Sequence, residues 1–165
     1  IMVGGDQKAF EQVRPFLEEV GRDINYVGDV GAGSVAKLVH NAITMTTRIA
    51  VQQGMVLATK AGVEPRVMLN VLRDAAFGRQ LLLTNHIPEL VFQGDFDHPR
   101  FSLGLSHKDV SLALELAKDT GAPMPMAQMA LEEIVEGIER GWADRDNLVT
   151  FLLAEERAGV EVRDK

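Results

Sequence analysis

Residues 28–41 read Gly28-Asp29-Val30-Gly31-Ala32-Gly33-Ser34-Val35-Ala36-Lys37-Leu38-Val39-His40-Asn41. They lie between the extended-looking run Ile24-Asn25-Tyr26-Val27 and a long apolar segment, so Gly31-x-Gly33-x-x-Ala36 occupies the place of a strand-to-helix cofactor turn. Such a turn requires a second strand after its helix, ending in an acidic residue about 20 positions beyond the last glycine. Here the helical pattern simply continues: residues 50–61, Ala-Val-Gln-Gln-Gly-Met-Val-Leu-Ala-Thr-Lys-Ala, show neither strand alternation nor a terminal acid. A nucleoside-triphosphate loop fails too, because Lys37 does not directly follow a glycine. The stretch is therefore read as a glycine-rich joint that opens a long helix.

From Ser34, the expected N-cap, the helical run is unbroken to Ala61, and Gly62 with Pro65 beyond it supplies the stop. Its apolar residues, among them Val35, Leu38, Val39, Ile43, Met45, Ile49 and Val56, surround much of the circumference, which predicts a centrally buried helix. Upstream, residues 1–5 read as the end of a strand, 6–20 as a helix capped by Asp6, and 24–27 as a second strand. This strand-helix-strand piece is too small to stand alone, so the chain is expected to begin inside a larger protein. Downstream, helices are expected over 66–75, 80–90, 108–120 with Ser106 as cap, 126–139 and 146–157, with a loop over 94–101. The predicted fold class is mainly α. An all-helical domain, residues 31–165, is built on a long central helix, and residues 1–30 form the remnant of an α/β domain.

With 165 residues, 46% of them hydrophobic and 25% charged, the chain has the composition of an ordinary globular protein, not a disordered or fibrous one. A net charge of −7 without any basic run argues against nucleic acid as a partner, since backbone binding needs a concentrated basic face. The absence of cysteine excludes disulfides, thiolate metal sites and cysteine nucleophiles, and with no signal-peptide pattern it leads us to expect a cytoplasmic protein. The longest uncharged stretch, residues 120–131, contains two prolines and falls well short of the roughly 20 apolar residues of a membrane span. No membrane partner is expected.

Lys37 and Asn41 stand one turn apart on one helix face. In apolar surroundings they need partners, which leaves two readings: a lysine whose stem packs while its head reaches solvent, or an electropositive pocket for an anionic, oxygen-rich substrate. Lys108-Asp109 taken alone reads as a solvated pair. Neither His107 beside Lys108 nor Asp95-x-Asp97-His98 supplies three convergent ligands, so no metal is expected. Met124, Met126 and Met129 read as core fillers, Glu132, Glu133, Glu136 and Glu139 as a solvated face, and Trp142 as a packing anchor.

Gly31-x-Gly33-x-x-x-Lys37-x-x-x-Asn41 resembles the catalytic motif of the β-hydroxyacid dehydrogenase family, which includes 3-hydroxyisobutyrate dehydrogenase and tartronate semialdehyde reductase. Further resemblances follow in order: Ile1 to Asp6 with the segment closing that family's nucleotide-binding domain, Phe101-x-Leu103-x-Leu105-x-x-Lys108-Asp109 with its second lysine motif, and Glu155 to Val160 near the C-terminus. The resemblance implies a helical C-terminal dehydrogenase domain working with a Rossmann domain that binds NAD or NADP. It implies Lys37 as catalytic proton donor and acceptor, Asn41 as substrate-binding, and Phe101 and Lys108 as cofactor-binding. The implied substrate is a small carboxylate, a β-hydroxy acid or its semialdehyde, and the implied assembly a homo-oligomer, dimer or higher.

Two departures stand out. His40 occupies a position where the family usually has asparagine, and the family's cofactor fingerprint and serine-glycine-glycine substrate motif are absent from these residues. The chain alone is therefore expected to be inactive. The alternative of a different class is a non-catalytic helical oligomerisation or interaction module.

Overall fold

Helices dominate the computed structural model, which describes residues 1–164, the side chain of Ala42 excepted. Its contacts divide the chain into two compact units, Ile1–Ile49 and the residues from Ala50 onward.

In the first unit, strand β1 (Met2–Gly4) pairs in parallel with β2 (Asn25–Gly28) through the crossover helix α1 (Gln7–Glu18). Met2 lies opposite Asn25 and Val3 opposite Tyr26, with an irregularity before Gly4. Asp6 caps α1 as expected, its Oδ1 accepting the Ala9 N–H at 2.8 Å. Phe10 is the buried residue of α1; its ring centroid is 5.2 Å from that of Tyr26, whose hydroxyl donates to the Gly5 carbonyl at 2.8 Å.

Helix α2 (Ala32–Lys60) starts earlier than the expected cap at Ser34. The Ala32 N–H already donates to the Asp29 carbonyl at 3.0 Å and the Val35 N–H to the Gly31 carbonyl at 3.1 Å, so helical bonding begins within the glycine stretch and Ser34 falls in the first turn. Gly4 and Gly33 allow β1 to cross this helix start backbone to backbone. A Cβ on Gly4 would lie 2.7 Å from the Gly33 nitrogen, and one on Gly33 would lie 3.0 Å from the Met2 carbonyl oxygen.

The expectation of a centrally buried α2 is not met within this chain. Val35, Leu38, Val39, Ile43 and Met45 are all more than half exposed.

The second unit includes the end of α2, where Leu57 forms a small core with Ala117 and Ala122, backed by Met124. Helix α3 (Pro65–Asp74) is capped by Glu64, which accepts the Val67 N–H at 2.9 Å. The helix expected over 80–90 is a π-helix, Leu82–Val91, containing Pro88. Proline has no N–H to continue an α ladder, and a wider turn accommodates the gap. Helices α4 (Leu103–Thr120), α5 (Pro125–Glu139) and α6 (Phe151–Ala158), the last entered through a 3₁₀ turn at Asn147–Thr150, complete the unit.

The main core comprises Val91, Phe96, Leu103, Ile134 and Val149, with Trp142 packed against it as an anchor. Burial of Leu103 extends α4 to an earlier start than expected: Ser102 caps it, and the expected cap Ser106 is buried inside the helix with its hydroxyl unpartnered. The glutamate face of α5 is not merely solvated, since Glu133 and Glu136 pair with Arg157, and Glu136 also pairs with Arg140. Met129 is exposed and fills no core gap.

Beyond α6, Arg163 returns to the buried carboxylate of Glu155, its Nη1 2.5 Å and its Nη2 3.1 Å from the two oxygens, while the Val162 N–H donates to Glu155 at 2.9 Å. Burial pushes this carboxyl up, but the Arg163 guanidinium and the Val162 N–H more than reverse that and hold it below the ordinary value. No helix among the described residues is long and apolar enough to cross a membrane.

Candidate functional site

Within the first unit, the crossing of β1 over the start of α2 leaves an open groove of about 560 Å³. It is lined by Met2, Val3 and Gly4 of the strand, by Gly31, Gly33 and Ser34 of the joint, and by Lys37 and Leu38 of the helix. The groove lies where β1 ends, and in parallel α/β units ligands settle beyond the carboxyl ends of strands. The backbone is accessible here: Gly31 has φ +96° and no atom within 4 Å of where its Cβ would stand. The glycines thus serve the strand crossing and leave an open wall.

Lys37 and Asn41 are brought together by the helical repeat. The Lys37 ammonium donates to Asn41 Oδ1 at 3.0 Å, and the His40 Nδ1 lies 3.4 Å from that same oxygen. Both Lys37 and Asn41 are exposed, so the pair does not sit on a buried face. Among the described residues no carboxylate is within ion-pairing distance of Lys37, which leaves its charge available to an anionic ligand. The donor set is one ammonium and one amide beside bare glycine backbone, and it suits a small oxygen-rich anion.

Phe101 and Lys108 belong to the second unit. Phe101 directly precedes the cap of α4 and leaves 40% of its surface exposed. Its backbone is held on both sides, the N–H near Asp146 Oδ2 at 3.4 Å and the carbonyl accepting from the Asn147 N–H at 2.9 Å. Lys108, in the second turn of α4, pairs with Asp109 at 3.0 Å, both side chains being more than half exposed.

The loop acids doubted as metal ligands are engaged elsewhere. Asp95 takes the His98 Nδ1 at 3.0 Å, a hydrogen bond that lowers its pKa, and Asp97 takes Arg145 Nε at 2.6 Å. No group of three or more His, Cys, Asp and Glu side chains among the described residues is placed to hold a metal ion.

The residue that sequence reasoning missed is Asp146. It was legible as a helix-opening acid, yet it is only 2% exposed and reaches across 46 residues to the segment carrying Phe101.

Comparison with known proteins gives this geometry a family. A model described as the NAD-binding domain of NADP-dependent 3-hydroxyisobutyrate dehydrogenase matches residues 31–153. The 2-(hydroxymethyl)glutarate dehydrogenase of Eubacterium barkeri is 33% identical over 162 residues, covering 98% of this chain and 53% of that protein. The NAD-dependent L-serine dehydrogenase of Pseudomonas aeruginosa is 32% identical over 149 residues, 88% of this chain and 50% of that one. The chain therefore spans about half the length of these curated relatives. Among solved structures, an imine reductase from Myxococcus stipitatus in complex with NADP+ superposes with a TM-score of 0.76 over 91% of this chain and 55% of its own; at 16% identity this is a likeness of fold.

Proposed function

This chain belongs to the 3-hydroxyisobutyrate dehydrogenase family, and on that premise we propose that it supplies the catalytic lysine of an NAD(P)-dependent oxidoreductase interconverting a small β-hydroxy acid and its semialdehyde. The observation that carries the reading is the Lys37–Asn41 pair, 3.0 Å apart, beside the groove at the end of β1. The two relatives' names support the substrate class: 2-(hydroxymethyl)glutarate and L-serine both bear a hydroxymethyl group on the carbon next to a carboxylate.

When bound, NAD or NADP supplies the hydride donor and acceptor. In the reducing direction, negative charge builds on the carbonyl oxygen, and the Lys37 ammonium stabilises that charge and gives its proton to the oxygen. In the oxidising direction the amine form of Lys37 takes the hydroxyl proton. Asn41 orients the substrate through its amide, which sets the reacting oxygen against Lys37. Phe101 offers an apolar ring on a fixed backbone and Lys108 an exposed ammonium; these two suit a cofactor that presents both a flat ring and phosphates.

The reading extends to assembly. Val35, Leu38, Met45, Ile49 and Val56 follow the a and d positions of a heptad and are all exposed, so α2 is suited to pairing with a second copy in a dimer or higher oligomer. This same stripe is the observation that favours the second reading, a helical oligomerisation module without chemistry of its own. Under the dehydrogenase reading, residues 1–30 are the closing piece of the nucleotide-binding domain and residues 31–165 the substrate and dimerisation domain, the chain alone being inactive.

The test joins this chain to a matching nucleotide-binding domain and assays NAD- and NADP-linked oxidation of short β-hydroxy acids. Lys37→Ala should lower kcat by about 10²–10⁴, the scale of a lost general acid–base, with cofactor binding retained. Equal turnover by both forms would leave the module reading standing.

A further inference from the structure

Asp146 has an unusual set of bonds for a residue that merely opens a helix. Its Oδ1 accepts the Leu148 N–H at 3.0 Å, the expected local cap. Its Oδ2 points the other way along the chain and accepts the Arg100 N–H at 2.9 Å, with the Phe101 N–H at 3.4 Å. The backbone N–H of Asp146 itself donates to the Phe96 carbonyl at 2.8 Å. At 2% exposure this carboxylate is anchored entirely by main-chain groups. Neighbouring bonds complete the lacing: Asn147 N–H to Phe101 carbonyl at 2.9 Å and Leu103 N–H to Arg145 carbonyl at 2.9 Å.

The consequence concerns Phe101. Phe101 remains 40% exposed, so packing covers only part of it and the direction of its Cα–Cβ bond, from which the ring projects, is set by its backbone. That backbone is clamped by Asp146 and its neighbour Asn147, immediately before Ser102 caps α4. We infer that Asp146 is a positioning residue for cofactor binding, acting through the backbone of Phe101 to fix the ring proposed to meet the cofactor. This rests on the proposed cofactor role of Phe101, and the experiment separates the two.

Substitutions can divide the two jobs of the carboxylate. Asp146→Ser keeps a short oxygen for the Leu148 N–H and loses the reach to Arg100 and Phe101. Asp146→Asn keeps the shape and one acceptor while turning an N–H donor toward one of the two donor sets.

In the dehydrogenase assembled from this chain and a nucleotide-binding domain, the KM for NAD or NADP is measured for Asp146→Ser, Asp146→Asn, Phe101→Ala and the double variant Asp146→Ser/Phe101→Ala, well below each melting temperature. Asp146→Ser should raise the cofactor KM roughly tenfold, less than the ~100-fold that a 1 Å misplacement can cost, with substrate KM changed less than about twofold. Added to Phe101→Ala, the same substitution should raise it no further, because the positioned ring is gone. Should Asp146→Ser not fold, Asp146→Asn is read by the same criteria.

A lowered melting temperature with unchanged cofactor KM would make Asp146 a structural residue and overturn the inference. An equal rise with and without the Phe101 ring would overturn the route through Phe101. If Phe101→Ala itself leaves cofactor KM unchanged, the cofactor role of Phe101 fails and the inference with it.

Discussion

Replacing Arg163 with alanine tests how the end of the chain is held. Glu155 is 6% exposed and receives two bonds from Arg163, at 2.5 and 3.1 Å, and one from the Val162 N–H at 2.9 Å. Removing one partner of a fully buried ion pair costs about 3–5 kcal/mol. Arg163 is 26% exposed at its side chain and Glu155 keeps the Val162 bond, so the expected cost is about 2 kcal/mol. For a chain of this length that lowers the melting temperature by about 4–8 °C.

The pH dependence identifies the cause. Glu155 titrates below its ordinary value of 4.5 in the folded state, so the pair's stabilisation is present above 4.5 and is lost as pH falls through the lower folded value. In Arg163→Ala the carboxyl keeps its burial and loses its cation, which moves its titration upward. The gap between the two proteins should therefore be full at pH 7 and smaller at pH 3.5. A remainder of about 0.5–1 kcal/mol persists at any pH, since Arg163 also lies over the Phe96 ring, 6.0 Å from its centroid. Thermal unfolding followed by helical circular dichroism at the two pH values is the assay. A gap of the same size at both, or none at pH 7, would refute the buried ion pair as the tail's anchor.

Four further outcomes follow from particular contacts. Gly33→Ala should cost about 1–3 kcal/mol by thermal unfolding, since its Cβ would press on main-chain atoms of Met2 and Gly4, which cannot swing aside as a side chain would. Leu103→Ala, at a fully buried core position, should cost about 2–5 kcal/mol by the same measurement. Asn41→Ala should raise the substrate KM of the assembled dehydrogenase about tenfold, from loss of a hydrogen bond to a charged group, with cofactor KM unchanged. If the proposed oligomer forms, Leu38→Asp together with Met45→Asp should leave the chain monomeric in light scattering; a wild-type chain that is already monomeric at high concentration would remove the assembly proposal.

Much of the local structure was legible because its causes are local. Asp6 caps the first helix through a carboxylate three residues from its donor, and Pro65 opens α3 where its missing N–H costs nothing. Lys37 and Asn41 share a face because four residues make about one turn. The errors have equally definite causes. Ser34 and Ser106 were both plausible caps, and in each case the helix began earlier: at Ala32 through bonds made within the glycine stretch, and at Leu103 because that residue is drawn into the core. The apolar circumference of α2 predicted central burial, and the exposed Val35, Leu38 and Ile43 contradict it, because a hydrophobic pattern marks a face without fixing what packs on it.

By itself the sequence determined the order of elements, the glycine joint into a long helix, and the spaced lysine motifs that placed the chain in its family. Only the tertiary structure decided that Gly4 lies against Gly33, that Arg163 folds back onto Glu155, and that Asp146 grips the backbone of Arg100 and Phe101. Periodicity and capping act within a turn or two of helix, and residue order carries them. A buried carboxylate, by contrast, accepts any N–H that the fold brings to it, and which one arrives is settled only when distant segments pack.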